Sequence, residues 1–157
     1  MDSTMKFLKE NMLKDKEEFT SKWNIEDLFI WELADKWIDM NIKNVQEFEP
    51  KVNALGNILN DRDFIKAVEI SKIAFKEKEV NDNAIQTAEL IKKVRKSKAY
   101  IKNKEIAGYE ILSDYEEPEI YKTDSFIVHV NMITKLSEYL QGKVSELKKY
   151  NLKSEKF

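Results

Sequence analysis

A chain of 157 residues with three glycines, two prolines and no cysteine has few means of making tight turns and none of making a disulfide or a thiolate metal site. Its apolar fraction of 42%, with three tryptophans, eight phenylalanines and six tyrosines, excludes a disordered chain and supplies a core. The formal charge of −2 conceals an asymmetry, because residues 1–90 carry 13 bases and 19 acids whereas residues 91–157 carry 14 and 10.

These proportions predict an all-α protein, a single helical domain over residues 1–157. No apolar run reaches the roughly 18 residues a membrane span needs. Residues 1–16 mix acids and bases without the apolar block of a signal peptide. The expectation is a cytoplasmic protein without a membrane partner.

Ser3 is a fitting N-cap for a first helix over residues 3–19, where Met5, Leu8, Met12 and Leu13 recur at helical spacing. Asn24 is the expected cap of a second helix over residues 25–42, with Glu26 and Asp27 in the first turn where the dipole favours acids. Leu28, Phe29, Trp31, Leu33, Trp37, Ile38 and Met40 cover more than one narrow stripe, which predicts burial over much of the circumference. Trp23, Trp31 and Trp37 are expected in the core, with an exposed partner patch as the alternative. Pro50 forbids an uninterrupted helix and can open a short one through Val52, Leu55, Ile58 and Leu59. Asp61 or Asp63 can cap the next, which carries Phe64, Ala67, Val68, Ile70, Ile73 and Ala74. Asn81-Asp82-Asn83 reads as a turn, followed by a long helix over residues 84–106 that Gly108 stops. Residues 108–124 alternate weakly around an acidic run, which predicts a loop or a short β-hairpin near residues 109–122. A last helix from Thr123 or Asp124 to Tyr150 carries Phe126, Val130, Ile133, Leu136, Leu140, Val144 and Leu147. Residues 151–157 are expected to fray. The sum is five or six helices in a bundle-like domain.

Chemistry is scarce. His129 is the only histidine, so a histidine-based zinc site or catalytic triad has nothing to build with. On an apolar helix face it reads as a half-buried core residue. Asp61 with Asp63, or the acids at 114, 116, 117 and 119, are candidate Mg²⁺ ligands, against capping and a solvated loop as the plainer readings. Glu119-Ile120-Tyr121-Lys122 has the Glu-x-x-Lys spacing of some nucleases but no identifiable partner acid. Glycines at 56, 108 and 142 cannot form a phosphate-binding loop.

The feature that stands out is a run of seven bases in thirteen residues with no acid among them: Lys92, Lys93, Arg95, Lys96, Lys98, Lys102 and Lys104. On one helix these would surround everything except an Ile91, Val94, Ile101 stripe. Like charges at i, i+3 and i+4 repel, and a polyanion would relieve that repulsion. Tyr100 in the same run either stacks on a base or packs. The alternative is a solvated face balanced by the acids at 114–119.

Asn24-Ile25-Glu26-Asp27-Leu28, followed by Trp31-Glu32-Leu33-Ala34-Asp35-Lys36-Trp37, resembles the early helix of the small terminase subunits of tailed phages. Ala99-Tyr100-Ile101, Gly108 and the ending Asn151-Leu152-Lys153-Ser154 are similar to that family's second half. The resemblance covers about half the chain and implies a helical, oligomeric protein that binds viral DNA for packaging. The last two helices also look like phage recombination mediators, which bind single-stranded DNA. The expectation is therefore a non-enzymatic nucleic-acid-binding protein without metal or cofactor, its contacts made by Lys92, Lys93, Arg95, Lys96, Lys98, Tyr100, Lys102 and Lys104. The alternative is a helical protein–protein interaction factor or inhibitor of viral or mobile-element origin acting on a host complex. Apolar helix faces shared between copies would make either one a homo-oligomer.

Overall fold

The structure, a computed structural model, describes residues 3–76, 82–109 and 120–155. Among these the chain is all helical: α1 (Ser3–Ser21), α2 (Ile25–Asn41), a 3₁₀ turn (Val45–Glu47), α3 (Phe48–Leu59), α4 (Arg62–Lys76), α5 (Asp82–Lys96), α6 (Lys98–Ala107) and α7 (Ile120–Glu155). Seven α-helices replace the expected five or six, because the single helix expected over residues 84–106 is two. Residues 110–119, with the acidic run and most of the expected hairpin, lie outside the described residues. Ile120 to Lys122, expected in its second strand, are instead the first turn of α7. Four alternating residues are a weaker signal than the i, i+4, i+7 stripe of Phe126, Val130 and Ile133, all buried. No described helix is long and apolar enough to cross a membrane. The chain divides into two compact units, Met1–Val52 with Lys135–Phe157, and Asn53–Thr134.

In the first unit, α1 buries Met5, Leu8 and Met12 on one stripe and leaves Leu13 half exposed. Asn24 caps α2 as its sequence implies, accepting from the Asp27 N–H at 3.1 Å. The burial expected around much of α2 is not found. A single stripe of Ile30, Trp31, Ala34, Trp37 and Ile38 faces inward, while Ile25, Phe29 and Met40 face water. The Trp31 indole N–H donates to the Met12 carbonyl at 2.7 Å, so its polar edge is satisfied inside. Pro50 sits in the first turn of α3, where its missing N–H costs nothing. The second part of α7 presents Tyr139 and Lys143 to Asn11 and Asp15 of α1, two i, i+4 pairs facing each other. The Tyr139 hydroxyl donates to Asp15 at 2.7 Å, and the buried Lys143 ammonium donates to Asn11 and is paired with Asp15. Lys9 donates to Asp35 at 2.9 Å and to Asp39 at 2.5 Å.

The second unit is built on the α4–α5 pair, the most extensive helix contact among the described residues. Both helices have small residues among their buried positions: Ala67, Ser71 and Ala74 in α4, and Ala84, Thr87 and Ala88 in α5. Small side chains let two helices approach closely and trade side-chain volume for backbone proximity. The two buried hydroxyls are satisfied within their own helices, Ser71 donating to the Val68 carbonyl and Thr87 to that of Asn83. Phe64 meets Phe126 edge to face, with centroids 6.1 Å apart. His129 is half-buried with its ring stacked on Tyr109.

Candidate nucleic-acid interface

The basic run lies in the second unit, and its geometry begins at Ser97. Burial of Ala84, Thr87, Ala88, Ile91 and Val94 fixes the rotation of α5 and turns the bases of its last turns outward. Lys93, Arg95 and Lys96 sit in the final turn, where the negative end of the helix dipole favours cations. Ser97 then leaves the helix with φ −69° and ψ 144°. Its hydroxyl donates to the Val94 carbonyl at 2.8 Å and accepts from the Tyr100 N–H at 3.2 Å, ending one helix and capping the next. Gly108 ends α6 in the left-handed region, φ 63°, with its N–H on the Lys104 carbonyl.

This break redistributes the seven bases that an unbroken rod would have spread around its circumference. Lys92, Arg95 and Lys96 of α5 and Lys104 of α6 line one open hollow of about 480 Å³, together with Tyr100. Lys93 is directed elsewhere and pairs with Asp63 of α4 at 3.2 Å, an exposed pair of small energetic weight. Lys98 and Lys102, one turn apart on α6, are exposed and do not line the hollow. Among the described residues no ion pair engages Lys92 or Lys96. Tyr100 is only 4% exposed, and the Lys104 ammonium lies 5.9 Å from its ring centroid. The ring therefore packs, and stacking on a base is not available to it in this conformation. Asn57 of α3 reaches Asn103 of α6 at 3.3 Å, holding α6 from the side.

The metal candidates are otherwise employed. Asp61 caps α4, accepting from the Phe64 N–H at 3.0 Å, and Asp63 is the partner of Lys93. Among the described residues no group of three or more acids or histidines is placed to hold a metal ion. The acids at 114, 116, 117 and 119, including that of the Glu-x-x-Lys, lie outside the described residues.

A second feature belongs to the first unit, where core burial holds for two of the three tryptophans and the alternative of exposure for the third. Trp31 and Trp37 are core residues, but Trp23 is 84% exposed. It occupies the position after α1 with φ 53°, the one positive-φ residue other than glycine among those described. The Asn24 N–H bonds the Phe19 carbonyl and the Trp23 N–H that of Thr20, the paired closure that normally places glycine where Trp23 stands. Ile25 and Phe29, one turn apart on α2, are exposed as well. The sequence held the signal, a helix stop without glycine, but the weight given to aromatic burial hid it.

Nothing matches the chain among the family models, curated proteins and solved structures with which it was compared.

Proposed function

We propose that this chain is a non-enzymatic nucleic-acid-binding protein whose contact surface is the basic hollow between α5 and α6. The observation that carries the reading is the convergence of Lys92, Arg95, Lys96 and Lys104 on one open hollow. Lys92 and Lys96, which no ion pair among the described residues engages, gain from a polyanion that releases its counterions on binding. The resemblance of residues 24–28 and 31–37, of residues 99–101 with Gly108, and of residues 151–154 to small terminase subunits points the same way, toward an accessory role in phage DNA packaging or recombination, exercised in the cytoplasm.

Fluorescence anisotropy with labelled single-stranded DNA tests this. Two phosphate contacts, from Lys92 and Lys96, give a log–log salt slope of about −1.4, a loss of about sevenfold between roughly 50 and 200 mM salt. Changing Lys92 and Lys96 together to Gln lowers the magnitude of that slope by about 1.4 and weakens binding to all sequences alike. Absence of binding at low salt, or a slope untouched by the substitutions, removes the proposal.

The exposed Trp23 favours a second reading, a protein-binding factor. Holding a non-glycine residue at positive φ costs about 1 kcal/mol, and Trp23 gains no burial in return. Trp23→Gly should raise stability by about 0.5–1 kcal/mol in chemical denaturation. On this reading it also abolishes capture of a protein that the unaltered chain retains from host lysate. Identical capture by both forms removes Trp23 from any interface.

A further inference from the structure

The junction of α1 and α2 leaves an apolar surface that the fold of the first unit does not use. Trp23 stands immediately before the Asn24 cap of α2, a position from which an apolar side chain ordinarily folds over the first turn of the helix. Trp23 is 84% exposed and does not do so, and Ile25 and Phe29 close by are 73% and 51% exposed. Leu13 and Met40 are also exposed in this unit, but Met40 lies about 22 Å along α2 from Ile25. Apolar residues exposed singly are ordinary, whereas a contiguous group marks an interaction surface.

Two properties of this corner argue for what covers it. The first is charge. The charged groups that flank it are engaged within the unit: Lys22 donates to Glu18 at 2.8 Å, Lys135 pairs with Glu26, and the Asn24 side-chain amide donates to Asp27 at 2.6 Å. Both signs are present and neither forms a block. A surface that meets its own copy has to be compatible with itself, and mixed, internally paired charge is. A strongly charged partner would call for a block of the opposite sign. The second is area. At these exposures Trp23, Ile25 and Phe29 offer roughly 400 Å² of apolar surface. Two copies bring together roughly 800 Å², which at an apolar share of about 60% corresponds to a contact of roughly 1,300 Å². That meets the lower end of what a specific association needs and suits a reversible dimer.

We propose that this corner is the contact face of an isologous dimer, in which Trp23, Ile25 and Phe29 of one copy meet the same residues of a second across a twofold axis. This rests on the protein-binding reading of Trp23, whose partner it names, and is independent of the basic hollow. The strained backbone at Trp23 gains in the pair the burial that it lacks in the single chain.

Sedimentation velocity of the full-length protein over a concentration series tests this. The mass should rise from that of one chain toward that of two, half-complete at about 10 µM, as a contact of this small area implies. A substitution at a twofold contact acts twice, so Trp23→Gly should weaken association by about 30-fold or more. Ile25→Lys should also dissociate the pair, because it places two unpaired ammoniums in the contact. Trp23→Gly relieves backbone strain, so its loss of association is not a loss of fold, and circular dichroism checks both variants. Association at about 0.5 M salt should match that at about 0.05 M, since apolar area and not charge drives it. A dimer that dissolves at the higher salt, or that survives both substitutions, assigns the contact to another face and overturns the proposal. The mass of one chain at every concentration overturns it as well. If Trp23-dependent capture of a host protein is then found, the protein-binding reading stands without the dimer; if neither occurs, both fall.

Discussion

Lys143 and Lys96 carry the same ammonium group in surroundings that differ in every respect that matters to it. Lys143 is 8% exposed, held by Asn11 and Asp15, and lies 5.2 Å from the Tyr139 ring centroid. Lys96 stands in water on the rim of a hollow whose other charged lining groups are also cations. Desolvating a charge is expensive unless good partners replace the water, so Lys143 is committed to its carboxylate. Lys96 is exposed and has made no such commitment. Charge that holds the fold is internal and paired, whereas Lys96 is exposed and, among the described residues, engaged by no ion pair.

The sharpest way to break this comparison is to remove the partner in the first unit. Asp15→Ala leaves the Lys143 ammonium buried beside Asn11 and takes the acceptor from the Tyr139 hydroxyl. A loss of about 3 kcal/mol is expected, a fall of about 10 °C in Tm by circular dichroism. Adding Lys143→Met to that variant should restore much of the loss, since the unpaired charge is then gone. A single variant as stable as the unaltered chain would show that the ladder between α1 and α7 is not holding them.

A smaller effect comes from pH. Burial, and then the hydrogen bond to Asp15, hold the Tyr139 phenol well above its ordinary pKa of 10.0. A raised folded-state pKa gives stability that is complete below about pH 10 and declines as pH rises further, because the unfolded chain releases the proton first. Lys9 acts in the same sense above its ordinary 10.5; burial pulls its pKa down, and its hydrogen bonds to Asp39 and Asp35 more than offset that. Tm should therefore fall as pH rises above about 10, and fall less in Tyr139→Phe. Equal decline in both forms would exclude the phenol as the titrating group.

The smallest effect is expected at the hollow. The Lys92 and Lys96 double substitution that tests the proposed DNA binding should leave unfolding free energy within about 0.5 kcal/mol. A large stability loss there would place these lysines with Lys143 and erase the distinction.

Where local chemistry decides, the sequence was readable. Asn24 caps, Asp61 caps, Pro50 opens a helix and Gly108 closes one, each through its own backbone or side chain. The Ser97 break was missed although a cap residue was present. A serine among lysines looks like ordinary helix surface, and only the inward packing of Tyr100 selects the break. The basic run was visible as composition, but its division into a hollow, a pair with Asp63 and a separate face is tertiary. Asp15 and Lys143 stand 128 positions apart, and no spacing rule joins them. Trp23 failed for the opposite reason, because residue type outweighed its place at the end of a helix.

The unequal burial of the tryptophans has a practical consequence. One indole of three stands in solvent while Trp31 and Trp37 are enclosed, so a collisional quencher in the buffer meets essentially a single emitter. That emitter sits at the junction of α1 and α2, and the chain thereby carries an intrinsic optical probe of whatever comes to rest on that corner.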